Sequence, residues 1–280
     1  MPRTIIAAVL TLITTMAHAQ PTYTTERNIH YRDALNIPAE ADDRCLLDIY
    51  YPTNPDTNPD TSTTEPFTTI IWLHAGGLKV GNKYIPGELT NQGFAVVAAS
   101  YRLHPGVTAP AYIEDADYAT AWTFANIERL GGSRDRIILA GASAGGYLAA
   151  MVALDPTYLA PHDLHPNQLA GLASIGGQMI NHVAVRQEQG ITRTQAVADN
   201  LSPIYHIRDD APPTLLVTGD RELELLGRYE ENAFFWRMTQ VVGHPDTTLH
   251  ELEGFDHPGL EKPAHGLLLR FATRIHNDAK

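Results

Sequence analysis

Residues 137–147 read Ile-Ile-Leu-Ala-Gly-Ala-Ser-Ala-Gly-Gly-Tyr, and no other stretch restricts the fold so much. An apolar, β-branched run enters Gly141-Ala142-Ser143-Ala144-Gly145, and a helix-forming run (Tyr147-Leu148-Ala149-Ala150-Met151) leaves it. Gly-x-Ser-x-Gly between a buried strand and a helix is the setting of a nucleophile elbow. Gly141 and Gly145 leave room where the chain nearly touches itself, so Ser143 can occupy a strained turn. That turn presents the hydroxyl at the sheet's C-terminal edge, over a helix N-terminus whose dipole favours developing negative charge.

The rest of the chain supplies the sheet that this turn requires. Strands are expected at Leu46–Tyr51, Thr69–His74, Phe94–Ser100, Arg136–Gly141, Gly171–Gly176, Thr214–Gly219 and Thr247–Leu252. Several are apolar on both faces, as parallel strands covered on two sides must be. Between them, Ile113, Ala116, Thr120, Phe124 and Ile127 recur at helical spacing, with Asp115 and Asp117 near the start and Gly131-Gly132 closing the helix. Further helices are expected over 143–154, about 223–240, and 264–276. The alternation predicts an α/β fold, a mostly parallel sheet with helices on both faces. Leu154 to Ala211 is longer and less regular than a plain crossover and is the natural place for a cap or substrate-shaping insertion. Pro52 to Pro66, rich in Pro, Thr, Asn and Asp, reads as a surface loop between strands.

The first nineteen residues read as a targeting segment. Arg3 precedes an apolar run ending near Ile13, and Ala17-His18-Ala19 offers a small-x-small cleavage site before Gln20. The run is shorter than the roughly 20 apolar residues a membrane span needs. The expectation is an exported protein, periplasmic or secreted, with one domain over 20–280. Cleavage removes Arg3 alone among the charged groups, so the mature chain is one unit more negative than the −12 of the whole. Such an acidic balance argues against nucleic acid and anionic membrane as partners. Cys45 is the only cysteine and lies in an apolar strand pattern, so it reads as a core residue with no internal disulfide to make.

A second Gly-rich turn follows another buried strand, in Thr69-Ile70-Ile71-Trp72-Leu73-His74-Ala75-Gly76-Gly77. Acyl transfer places negative charge on the former carbonyl oxygen, and prearranged backbone N–H donors stabilise it. Gly76, Gly77 and Ala144 are the candidate oxyanion donors; His74 reads as a brace for the loop rather than a proton carrier.

A serine hydroxyl needs an imidazole to take its proton and a carboxylate to orient that imidazole. On this fold the order is Ser, acid, His. Of the histidines beyond Ser143, His257 lies in the Gly-bounded loop Gly254-Phe255-Asp256-His257-Pro258-Gly259, after the last strand and before the final helix. The acid is expected just past Thr214–Gly219, where Asp220-Arg221-Glu222 follows.

With these motifs in view the chain resembles the α/β-hydrolase superfamily, in its hormone-sensitive-lipase-like and small carboxylesterase branch. The family's His-Gly-Gly-Gly segment is similar to His74-Ala75-Gly76-Gly77, and its Gly-x-Ser-Ala-Gly-Gly to Gly141-Ala142-Ser143-Ala144-Gly145-Gly146. Its Tyr-Arg-Leu-x-Pro segment is similar to Tyr101-Arg102-Leu103-His104-Pro105, and Asp115 stands where the family carries an Asp before the nucleophile strand. The resemblance runs from about Leu46 to the C-terminus and implies the α/β-hydrolase fold with a short cap. Ala75 in place of Gly departs from the pattern. The family's Gly-x-x-Asp spacing, counted from Gly219, falls on Glu222, which is therefore the preferred acid, with Asp220 the alternative. The resemblance also implies a serine esterase acting on small ester substrates, with short acyl groups such as acetyl favoured. Amide hydrolysis on the same triad, as in a peptidase or formamidase, is the rival chemistry. A non-catalytic binding protein on the same scaffold is the rival class.

No cofactor is implied. The 13 histidines form no metal-ligand spacing, and His162 and His165 read as exposed loop residues. Neither a phosphate loop nor a dinucleotide-binding glycine pattern is present.

Overall fold

A computed structural model describes residues 21–32, 43–53 and 65–278. The targeting segment and most of the Pro52–Pro66 loop lie outside the described residues. Eight strands form one sheet: β1 Thr22–His30, β2 Leu46–Thr53, β3 Phe67–Leu73, β4 Ala95–Ala99, β5 Gly132–Ala142, β6 Gly171–Ile175, β7 Thr214–Gly219 and β8 Thr247–Leu252. Their order is β1-β2-β4-β3-β5-β6-β7-β8. β1 pairs antiparallel with β2, and β2 with β4; every pair from β4 to β8 is parallel.

The apolar runs of the central strands are sorted by the pleat into two cores. Ile71, Leu73, Val97, Leu139 and Leu216 face helices α1 (Ala111–Asn126) and α2 (Ala144–Leu154). Ile70, Trp72, Val96, Ile138 and Val217 face the opposite side, where Leu268, Phe271, Ala272 and Ile275 of α6 (Glu261–Asp278) cover them. Cys45 is fully buried in the first core, and burial first, then Asp115, raises its thiol to about 11, so it is an inert packing residue.

Several features depart from the sequence expectation. β1 was not anticipated, because Thr-Tyr-Thr-Thr-Glu-Arg-Asn-Ile-His is an edge strand with no fully buried position and so shows no apolar signal. The helix expected from about 223 begins only at Arg228, as α5 (Arg228–Val242); Gly227, at φ 70°, precedes it, and residues 220–227 are turns. His162 is half-buried rather than exposed, its Nε2 lying 3.0 Å from Asp117 Oδ2. The irregular stretch 154–211 holds a short helix α3 (Pro156–Leu159), the central strand β6, and α4 (Val183–Glu188) beyond it.

Parallel pairing sets the C-terminal ends of β3, β5, β6, β7 and β8 along one edge. Leu73 is in register with Gly141, Ala142 with Ile175, and Gly219 with Leu252. Gly141 at the end of β5 and the segments following these strands carry the candidate site residues.

Candidate active site

Ser143 occupies the one-residue junction between β5 and α2, at φ 51° and ψ −112°. A β-carbon is uncomfortable there, and the neighbouring glycines make the turn possible. A Cβ on Gly145 would stand 2.0 Å from the Leu73 carbonyl oxygen, and one on Gly141 2.4 Å from the Gly145 carbonyl carbon. The Ser143 amide donates to Ile175 O at 2.7 Å, tying the turn to the neighbouring strand.

The structure brings Ser143 and His257 together: Oγ lies 2.8 Å from Nε2. On the far side of the imidazole, Nδ1 lies 2.9 Å from Oε2 of Glu224. Neither acid chosen from the sequence is there. Glu222 is exposed at the tip of the turn. Asp220 accepts hydrogen bonds from the amides of Glu222 (3.0 Å) and Gly254 (2.8 Å), so it fastens the β7 turn to the His257 loop. The turn after Gly219 is two residues longer than the family spacing. The Glu224 amide bonds to Asp220 O at 2.8 Å, and its side chain folds back beneath His257. A signal was present: Glu224 stands in Leu223-Glu224-Leu225-Leu226, and an acid inside an apolar run has little reason to be merely solvated.

The Glu224 side chain has no exposed surface, against 13% for His257. Burial pushes its pKa up. The His257 hydrogen bond and charge, with the amides of Gly219 (3.0 Å) and Leu225 (3.0 Å), outweigh that, so the net position is below the ordinary 4.5. Glu224 is therefore ionised near neutrality and only accepts. Nδ1 of His257 must carry the proton it shares with Glu224, leaving Nε2 as an acceptor for the Ser143 hydroxyl.

The Gly-rich turn after β3 lies alongside. Gly76, at φ 133°, sits where a Cβ would fall 1.8 Å from Val80 O, and Gly77, at φ 62°, lines the same cavity as Ser143. The amides of Gly76 and Gly77 have no hydrogen-bond acceptor among the described residues, and that of Ala144, in the first turn of α2, has no intrahelical one. His74 Nδ1 donates to Ala75 O at 2.6 Å, its ring stacks on Tyr101 at 4.2 Å, and Tyr101 Oη donates to His74 O at 2.7 Å. Burial lowers its pKa to about 4, so it is neutral at physiological pH. Asp115, fully buried, bonds Arg32 at 2.6 Å and Arg102 at 2.8 Å, and takes the Arg102 amide at 2.8 Å, anchoring the segment after β4 to α1.

The cavity over Ser143 and His257 measures about 280 Å³. One wall comes from the segment after β6, including Gln178, His182 and Val183, and another from Leu225, Leu226 and Arg228. A larger cleft of about 440 Å³, between Tyr31, Trp122 and His162, contains none of Ser143, His257 or Glu224.

Comparison with known proteins finds esterases in sequence and in fold. The BD-FAE family profile matches residues 47–169. The esterase LipC of Mycobacterium tuberculosis is 28% identical over 219 residues, 69% of this chain and 53% of LipC. A probable isoprenylcysteine alpha-carbonyl methylesterase of rice is 26% identical over 266 residues, 84% of this chain and 60% of that protein. The chain spans about half the length or less of the first curated relatives it matches. Among solved structures, a truncated carbohydrate esterase from gut microbiota superposes with TM-score 0.71 at 18% identity, covering 92% of this chain and 99% of that one. Esterase 2 of Thermogutta terrifontis superposes with TM-score 0.67 at 21% identity, covering 95% and 97%. Sheet order, the strained strand–turn–helix at Ser143 and these matches converge: the chain has the α/β-hydrolase fold, and its sequence is similar to BD-FAE-family proteins and to esterases.

Proposed function

We propose that this protein is a serine carboxylic-ester hydrolase with Ser143 as nucleophile, His257 as base and Glu224 as the acid that orients it. The observation that carries the reading is the unbroken hydrogen-bonded line from Ser143 Oγ through both nitrogens of His257 to a buried, ionised Glu224. His257 Nε2 takes the hydroxyl proton as Oγ attacks the ester carbonyl, and Glu224 stabilises the imidazolium that forms. The amides of Ala144, Gly77 and Gly76 receive the oxyanion. His257 then gives its proton to the leaving alcohol, and an acyl-enzyme remains on Ser143. A water molecule, deprotonated by His257, releases the acid and restores the serine.

A cavity of about 280 Å³ favours a short acyl group. An ester is preferred to an amide because the curated relatives bear esterase names. We further propose export, with mature protein beginning at Gln20; N-terminal sequencing of protein recovered from culture tests this. For the activity, hydrolysis of p-nitrophenyl esters of increasing acyl length is the test. Turnover is expected for acetate to butyrate and at least 10³-fold less in Ser143→Ala. Equal turnover in that variant, or cleavage of matched anilides in preference to esters, contradicts the reading.

A further inference from the structure

The cavity beside Ser143 is unusual in charge. The chain as a whole carries −12, yet no aspartate or glutamate lines this cavity, while Lys79, Arg193 and Arg228 do. None of the three makes an ion pair within 4.0 Å among the described residues. Among the described residues the Lys79 ammonium bonds only the neutral Gln187 amide, at 2.7 Å, and Arg193 is exposed.

Arg228 is the telling member. It is 4% exposed, and its Nη1 donates to the Gly176 carbonyl. Its Nε is buried with no partner, and its Nη2 has no acceptor among the described residues. An arginine's Nε/Nη2 edge is the fork a carboxylate fits; here Nε has almost no exposed surface, so a ligand carboxylate meets the guanidinium through Nη2. Elsewhere in this protein Arg102 uses the same edge to grip Asp115, with Nε at 2.8 Å and Nη2 at 2.8 Å. Burial lowers the Arg228 pKa, and the charges of Glu231 and Glu224 only partly offset that, so the guanidinium is left under-compensated. The two nearby acids are committed elsewhere: Glu224 to His257, and Glu231 to the Met179 amide at 3.2 Å and Gln178 at 3.5 Å. His182, in the same wall, is pushed well below 6.5, by burial first and then by Arg228, Arg186, Lys79 and His257, which reports positive charge converging there.

We infer that the cavity selects esters bearing a carboxylate, seated on the Arg228 guanidinium and drawn in by Lys79 and Arg193, with Leu225 and Leu226 against the apolar part. This rests on the hydrolase reading and names its substrate class. Arg228 also braces the loop that touches His257, since a Cβ on Gly176 would lie 3.2 Å from His257 Cε1. A bracing role alone affects all esters alike; a recognition role separates charged from neutral ones.

The test compares esters with and without a free carboxylate, each corrected for its spontaneous hydrolysis: 4-nitrophenyl hydrogen glutarate against its methyl ester, and 3-carboxy-4-nitrophenyl acetate against 4-nitrophenyl acetate. In wild type, kcat/KM for the anionic member of at least one pair is expected to exceed its neutral partner at least tenfold, and to lose that advantage in high salt. The anionic-to-neutral ratio falls tenfold or more in Arg228→Met, is partly kept in Arg228→Lys, and falls two- to threefold in Lys79→Met and Arg193→Met, whose exposed positions keep the test available if Arg228 variants misfold. Turnover of neutral esters with no anionic preference overturns the inference and leaves the hydrolase reading intact. Calorimetric binding of intact 4-nitrophenyl hydrogen glutarate and of 3-carboxy-4-nitrophenyl acetate to Ser143→Ala decides the inference without turnover. At least one is expected to bind more tightly than its neutral partner, and equal binding within both pairs refutes the proposal.

Discussion

Oε2 of Glu224 stands 2.9 Å from Nδ1 of His257, on a side chain with no exposed surface, while Glu222, two residues earlier, is open to solvent. The carboxylate that we propose orients His257 therefore comes from the far end of the β7 turn.

That placement separates three acids by experiment. Glu224→Gln keeps the shape but loses the charge and the tautomer control, so kcat should fall by about 10²- to 10⁴-fold. Glu222→Gln should stay within about twofold, as an exposed carboxylate whose side chain makes no hydrogen bond or ion pair within 4.0 Å among the described residues. Asp220→Asn should cost stability more than rate, because its two carboxylate oxygens hold backbone amides on both sides of the site. Steady-state kinetics with urea unfolding of each variant checks all three.

The glycine turn after β3 makes a paired prediction. Gly76→Ala forces a Cβ to within 1.8 Å of Val80 O, and the turn must rearrange. Gly77→Ala meets nothing within 4 Å and bears only the left-handed backbone, about 1–2 kcal/mol. The melting temperature should drop sharply for the first and modestly for the second. Equal losses would mean the turn is not set as described.

Asp115 anchors two guanidinium groups in the core. Asp115→Asn leaves Arg32 without its counter-charge and Arg102 with the exposed Glu114 at 4.0 Å, and a loss of about 3–5 kcal/mol is expected. Chemical denaturation measures it directly.

His74 supplies a pH prediction. Its pKa is depressed from 6.5 to about 4 in the folded state, so the unfolded chain binds the proton first as pH falls. Its contribution is complete above about 6.5 and is lost progressively down to about 4, on the order of 3 kcal/mol in all. Unfolding free energy measured from pH 8 to pH 4 should therefore fall more steeply in wild type than in His74→Gln.

The sheet and the strained turn at Ser143 were legible in the sequence because both depend on local pattern. The strands from Leu46 onward are apolar runs of the expected length, and the glycines around Ser143 are dictated by contacts under 2.5 Å. His257 was legible from its Gly-bounded loop between the last strand and the last helix. What stayed hidden depends on chain geometry rather than residue type. The β7 turn closes through an i to i−4 bond from Glu224 to Asp220, so a fixed count from Gly219 stops on the wrong acid. β1 was invisible because an edge strand has no buried face to mark it. The charge of the cavity was equally hidden, since Lys79, Arg193 and Arg228 are far apart in the chain and meet only around Ser143.

The central claim is that the Ser143 hydroxyl, activated through His257, is the nucleophile. Incubation with diethyl 4-nitrophenyl phosphate, followed by peptide mass spectrometry, tests it most directly. The account predicts a single phosphoryl adduct on Ser143, growing in proportion to lost esterase activity and much slower to form in His257→Ala. An adduct on another residue, or full activity with Ser143 modified, contradicts it.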